Sequence, residues 1–148
     1  MMSNIFFKNT GFQSSGFQNL TPREAYQEAV KNNAIIIDVR ETAFIDYKRF
    51  DVPNVIYAPY SELKKYFTNL PCDKPLIIAD SVGLRSKDAM LFLLSKEFLN
   101  IANLAGGIVE WDRDGLPLLI DQGEALSGAC LCRLRPRKKI NRGSQIQQ

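Results

Sequence analysis

The sequence predicts an α/β domain with a mostly parallel sheet covered by helices on both faces, and three observations carry that prediction. Ile77, Ile78 and Ala79 form an unbroken apolar run after Pro75, the composition of a strand buried on both faces. After Arg85 the apolar positions change to spacings of three and four, at Ala89, Met90, Leu93 and Leu94, beside charged Lys87, Asp88, Lys96 and Glu97, which is the pattern of a surface helix. Strand-like and helix-like stretches of this kind alternate along most of the chain, as parallel sheets with crossover helices require.

In order, residues 1–16 read as a flexible or loosely docked arm and Phe17 to Leu20 as a short first strand. Thr21, Pro22 and Glu24 form a helix start: Thr21 caps, Pro22 takes the first helical position, and Glu24 reaches back to the cap amide. That helix is expected to end near Asn32 or Asn33. Ala34 to Val39 follows as a strand, Thr42 to Lys48 as a short helix and Asn54 to Ala58 as a strand. Ser61 is expected to cap a helix running to about Asn69. Leu76 to Ala79 is the next strand, Arg85 to Phe98 a helix, Ile101 to Leu104 a strand and Ile108 to Asp114 a closing helix. The domain is assigned to residues 17–120, with a tail from 121 to 148. At 148 residues and 45% hydrophobic content, the chain is long enough for one substantial core.

Composition also excludes classes. No apolar stretch approaches the roughly 20 residues needed to span a bilayer, and no basic segment precedes an apolar one at the N-terminus, so neither a membrane span nor a secretory signal is expected. A cytoplasmic location follows as the expectation. Three cysteines, with Cys130 and Cys132 separated by one residue, do not make a disulfide framework and suit a reducing compartment. There is no histidine. No metal site and no cofactor are therefore expected, because a tetrahedral site needs four ligands and Cys72 lies at the wrong end of its strand to join the other two thiols.

The chemistry concentrates between Asp80 and Ser86, in the sequence Asp80-Ser81-Val82-Gly83-Leu84-Arg85-Ser86. A strand, a glycine-containing loop and a helix in that order aim several backbone N–H groups and the positive end of a helix dipole into one bowl, which favours an anion. Gly83 supplies the conformational freedom of the turn, and Arg85 offers forked donors to an oxyanion or to loop carbonyls. Ser81 and Ser86 are hydrogen-bonders rather than nucleophiles, since no histidine exists to activate them. Asp80 as a nucleophile is disfavoured: Val82 stands where a metal-assisted phosphatase would place a second aspartate.

This loop and its flanks resemble the rhodanese-like sulfurtransferase domain from about Leu20 to Pro117. Four stretches carry the likeness: Leu20 to Ala25 before a helix, Ile37-Asp38-Val39-Arg40-Glu41 closing a strand, the loop from Asp80 to Ser86, and Leu104-Ala105-Gly106-Gly107-Ile108-Val109-Glu110-Trp111. The third is spaced like the family's Cys-x4-Arg loop, and the fourth approaches its Leu-x-Gly-Gly-x-x-x-Trp ending. The resemblance implies a three-layer α/β fold and sulfur carried as a persulfide on the loop cysteine. It also implies that Asp80 occupies that cysteine's place. A carboxylate cannot form a persulfide, and Asp80 is expected to occupy the bowl itself and accept its N–H bonds. A second departure is Phe50-Asp51-Val52-Pro53, where the family has a Gly-His-Ile-Pro-like turn.

Around this pocket, Asp38 and Arg40 lie at the carboxyl end of a strand, where ligands bind in open sheets; a structural ion pair is the preferred role. Gly106 and Gly107 are expected to permit a tight turn beside the loop, with amides that a neighbouring anion would also meet. Trp111 is expected to pack the closing helix against the sheet.

Beyond Pro117 the character changes. All 16 acidic residues lie at or before Glu124, whereas Arg133, Arg135, Arg137, Lys138, Lys139 and Arg142 lie in the tail. The other 13 of 19 basic residues face those 16 acids, so residues 1–124 carry −3 and the end from residue 125 carries +6 of the formal +3. A solvated end is the preferred reading; an acidic partner is the alternative, and nucleic acid is disfavoured because the tail lacks an aromatic residue for stacking. The Cys130/Cys132 pair can cycle between dithiol and disulfide or carry sulfur beside Arg133 and Arg135. Three functions follow: an inactive binding or regulatory module for a protein partner or small anion, a sulfurtransferase or thiol-redox protein using Cys130 or Cys132, and an interaction protein acting through its basic tail.

Overall fold

A computed structural model describes residues 6, 7, 9–14, 16–45 and 47–121, together with the backbone of 138–140. Its main sheet has six strands. These are β1 (Phe12–Ser14), β2 (Phe17–Leu20), β3 (Ile35–Asp38), β5 (Val55–Tyr57), β6 (Leu76–Ala79) and β7 (Ile101–Leu104), in the order β1-β2-β7-β6-β3-β5. Only β1 runs antiparallel to its neighbour; the other pairings are parallel. The predicted α/β class with a mostly parallel sheet is the fold observed.

Period-two alternation divides the strand residues between two cores. Ile36, Ile77, Ala79, Ala102 and Leu104 face one side, with Ala25 of α1 (Pro22–Lys31) and Ile108 and Trp111 of α5 (Gly107–Arg113). Ile37, Leu76, Ile78 and Ile101 face the other, with Leu63 of α3 (Tyr60–Tyr66) and Ala89, Met90 and Leu93 of α4 (Arg85–Ser95). Helices therefore cover both faces, and the apolar runs read from the sequence are the strands that both layers bury. Trp111 is fully buried, packs edge-on against Phe50 and Tyr26, and donates its indole N–H to the Pro117 carbonyl at 2.9 Å. Its role is the packing one.

Several elements differ from the sequence expectation. The helix expected over Thr42–Lys48 stops early: α2 spans Thr42–Ile45, and Lys48–Phe50 form strand β4. This strand pairs antiparallel with β8 (Leu118–Ile120), which in turn pairs with β9 (Lys138–Ile140) in a second, three-stranded sheet. Ser61 does not cap α3; Pro59 occupies that position without a side-chain cap, and the helix gives way to a 3-10 turn at Phe67–Asn69. Ahead of residue 17, part of the expected arm is packed. Phe12–Ser14 pair with β2 and Phe7 is 1% exposed. Among the described residues no helix is long and apolar enough to cross a membrane.

Candidate functional site

The loop after β6 is held from two sides by backbone groups. From below, the first amides of α5 take its carbonyls: Ile108 N–H donates to the Asp80 oxygen at 2.9 Å and Val109 N–H to the Ser81 oxygen at 3.1 Å. This approach needs a glycine at the helix start. Gly107 has φ +62°, and a Cβ there would lie 2.3 Å from the Ser81 oxygen and 2.6 Å from that of Asp80, far inside contact distance. From above, the start of α4 supplies free amides, because the first N–H groups of a helix have no partner within it.

Asp80 takes those amides. Its side chain turns back into the loop and accepts from the Gly83 N–H on one oxygen, and from the N–H groups of Arg85 at 2.6 Å and Ser86 at 3.1 Å on the other. The residue is 4% exposed. Gly83, at φ +92°, allows the turn that presents its amide, and a Cβ there would come 3.1 Å from the Gly106 nitrogen. Hydrogen bonds from amides to a carboxylate are charge-assisted and stronger than neutral ones. Three backbone N–H groups of the loop and helix start thus converge on one point, and a side chain of the same loop engages them.

Beneath the loop runs a buried polar chain that the sequence reading missed. The Ser86 hydroxyl donates to Asn103 Oδ1, the Asn103 amide donates to Asn19 Oδ1 at 2.8 Å, and Asn19 donates to the Phe17 carbonyl at 3.0 Å. All three side chains are at most 2% exposed. Asn19 and Asn103 are register partners on β2 and β7. The signal was available: asparagine inside an apolar strand demands a partner, because an unsatisfied buried amide costs about 1–3 kcal/mol.

Asp38 and Arg40 form the structural pair. Arg40 donates to both Asp38 oxygens, with an ion-pair distance of 2.8 Å, and to the carbonyls of Phe44 at 3.2 Å and Lys48 at 2.7 Å. The guanidinium thereby ties α2 and β4 to the end of β3. Asp38 is fully buried.

Over the loop lies a cleft of about 270 Å³. Val39, Arg40, Glu41 and Phe44 form one wall; Asp80, Ser81, Val82, Leu84 and Arg85 form the other. Arg85 is exposed, and its guanidinium carbon lies 5.5 Å from the centre of the Tyr60 ring. Of the expected rim residues, Arg40 reaches the cleft, whereas Asp38, Gly106 and Gly107 support it from behind. Glu41, Phe44 and Tyr60 were not singled out in the sequence; Glu41 and Phe44 follow β3 at the carboxyl end of the sheet, where ligand sites gather. Cys130, Cys132, Arg133, Arg135, Arg137 and Arg142 lie outside the described residues, and of Lys138 and Lys139 only the strand backbone is described. Cys72 is exposed. Among the described residues no group of three or more acidic or cysteine side chains is placed to hold a metal ion.

Comparison with known proteins places this geometry in context. The family model described as "Rhodanese-like domain" matches residues 21–114. The chain is 27% identical over 106 residues to the thiosulfate sulfurtransferase GlpE of Actinobacillus succinogenes, covering 69% of this chain and 90% of that one. It is 28% identical over 106 residues to a protein named sulfurtransferase from Allochromatium vinosum, covering 72% and 94%. Among solved structures it is similar to a rhodanese-related protein from Thermoplasma volcanium, with a TM-score of 0.61 and 29% identity over 69% of this chain and 97% of that one.

Proposed function

This chain belongs to the rhodanese-like domain family, and we propose that it is a member whose loop has exchanged sulfur transfer for binding. In this reading Asp80 stands where the family carries its persulfide-forming cysteine. The protein works as a binding or regulatory module for a protein partner or a small anion, without a cofactor. The observation that carries the reading is the set of three loop amides that Asp80 accepts. Those donors are the ones that would stabilise a thiolate or persulfide at the helix start, and a carboxylate both occupies them and lacks a sulfur atom to transfer.

The test is sulfur transfer from thiosulfate to cyanide by the full chain and by the Cys130→Ser/Cys132→Ser variant. Neither is expected to turn over. Transfer by the variant without those thiols would overturn the proposal. Asp80→Cys is expected to restore thiol reactivity at the loop, since the amides that held the carboxylate then face a sulfur.

The names of the relatives favour a second reading, in which sulfur handling persists on Cys130 or Cys132. It predicts a persulfide or disulfide on those residues by mass spectrometry and turnover that disappears when both are changed to serine.

A further inference from the structure

With Asp80 turned into its own loop, the hydrogen-bonding capacity left among the charged side chains of the cleft is of one kind. Both carboxylates there are supplied with donors: Asp80 by the loop amides, and Glu41 by the amide and hydroxyl of Ser61 at 3.1 and 2.8 Å. Arg40 is spoken for by Asp38 and two carbonyls. Arg85 is not. Its guanidinium has no ion pair or hydrogen bond among the described residues, and it is held over Tyr60 with its forked donors open to solvent.

The rest of the mouth is apolar. Phe44, Val82 and Leu84 are 63%, 51% and 69% exposed, and all three line the same cleft. Exposed apolar side chains scattered singly need no explanation, but three around one concavity beside an open arginine have the composition of a binding site.

We propose that this cleft binds a carboxylate carried on an aromatic or branched apolar body. The carboxylate faces Arg85, and the body covers Phe44, Val82 and Leu84. This rests on the reading above that Asp80 closes the loop. A small inorganic oxyanion fits poorly: the amides it needs are taken, and it would leave the apolar walls wet. Asp80 and Glu41 also repel a multivalent anion, which favours a single carboxylate. At about 270 Å³ the cleft lies just under the range of about 300–1,000 Å³ for drug-sized ligands. It therefore suits a small organic acid or the last residue of a peptide.

An amide-resolved NMR titration of the full chain tests this with hydrocinnamate, acetyl-Gly-Gly-Phe with a free carboxylate, the same peptide as its amide, phenethylamine and thiosulfate. Hydrocinnamate is expected to shift the amides of Ser81 to Arg85 saturably. Arg85→Gln should weaken it about fivefold or more, the loss of one charge-assisted contact, and Leu84→Ser should weaken it while leaving the spectrum folded. Tighter binding of the peptide acid than of hydrocinnamate identifies a chain terminus as the source; weaker binding identifies a free acid. Equal shifts from phenethylamine or from the peptide amide, or undiminished affinity in Arg85→Gln, would overturn the proposal. No response to either acid overturns it too, yet leaves the closed loop standing. Saturable thiosulfate shifts at Gly83 and Ser86 would instead show the loop amides to be open, and both readings would fall together.

Discussion

Asp80 and Arg85 meet through backbone rather than charge: the Arg85 N–H donates to the Asp80 carboxylate at 2.6 Å, while the Arg85 guanidinium lies over the Tyr60 ring. The aspartate closes the loop, and the arginine side chain is left facing outward.

Replacing Asp80 by asparagine keeps the shape and changes the chemistry. Asparagine presents one oxygen and one NH2, so its NH2 must face amides that are themselves donors. Because the side chain is buried and accepts on both oxygens, Asp80→Asn is expected to cost about 1–3 kcal/mol. Urea denaturation of the two proteins measures this. An unchanged midpoint would mean that the carboxylate contributes nothing to holding the loop.

Gly107→Ala is expected to be more disruptive than its single methyl suggests. The left-handed backbone alone costs an alanine roughly 1–2 kcal/mol, and the added Cβ would press on the Ser81 and Asp80 carbonyls. The loss should exceed about 2 kcal/mol and be accompanied by movement of loop amide resonances. Stability within about 0.5 kcal/mol of the parent, the ordinary range for surface changes, would refute the close approach.

Arg40→Ala leaves Asp38 charged and buried without its partner. Breaking a buried pair in this way typically costs about 3–5 kcal/mol, and here two carbonyl contacts to α2 and β4 disappear as well. Thermal unfolding should show the drop. A variant replacing both Asp38 and Arg40 with leucine should lose less than Arg40→Ala, because no buried charge is stranded; a larger loss in the double variant would contradict this.

Tyr57 gives a pH signature. Its pKa is raised above the ordinary 10.0, first by partial desolvation of a ring that stays 42% exposed, against the pull of Arg49, then by the Asp38 carboxylate, with Arg40 also lowering it. The folded chain thus holds the phenol proton more tightly than the unfolded chain. The associated stability is fully present below pH 10.0 and is lost as pH rises through the folded-state pKa. Phenolate absorbance should show a late-titrating tyrosine that is missing from Tyr57→Phe. The variant's denaturation midpoint should also fall less steeply above pH 10.0 than the parent's; parallel curves would count against the assignment.

What was legible in the sequence was local. Thr21, Pro22 and Glu24 announce the start of α1, and both bonds of the capping box are present, because every partner lies within three residues. The Asp80–Ser86 loop was legible for the same reason: Asp80 reaches only as far as Ser86. Features decided by distant partners were not. Lys48 and Arg49 show no strand alternation, and β4 exists because Leu118–Ile120 lie alongside it. Ser61 has the residue type of a cap, yet its hydroxyl serves Glu41, twenty residues earlier in the chain. Val82 and Leu84 read as members of the loop and Phe44 as an ordinary apolar residue, and only the fold gathers the three at one mouth.

The polar thread from Ser86 through Asn103 to Asn19 gives the loop a remote anchor. Asn19 sits in the hairpin formed by β1 and β2, so hydrogen bonds run without a break from the loop under the cleft to the margin of the sheet. A change confined to that hairpin, such as Asn19→Leu, could retune what the cleft holds without altering any residue that a ligand would touch.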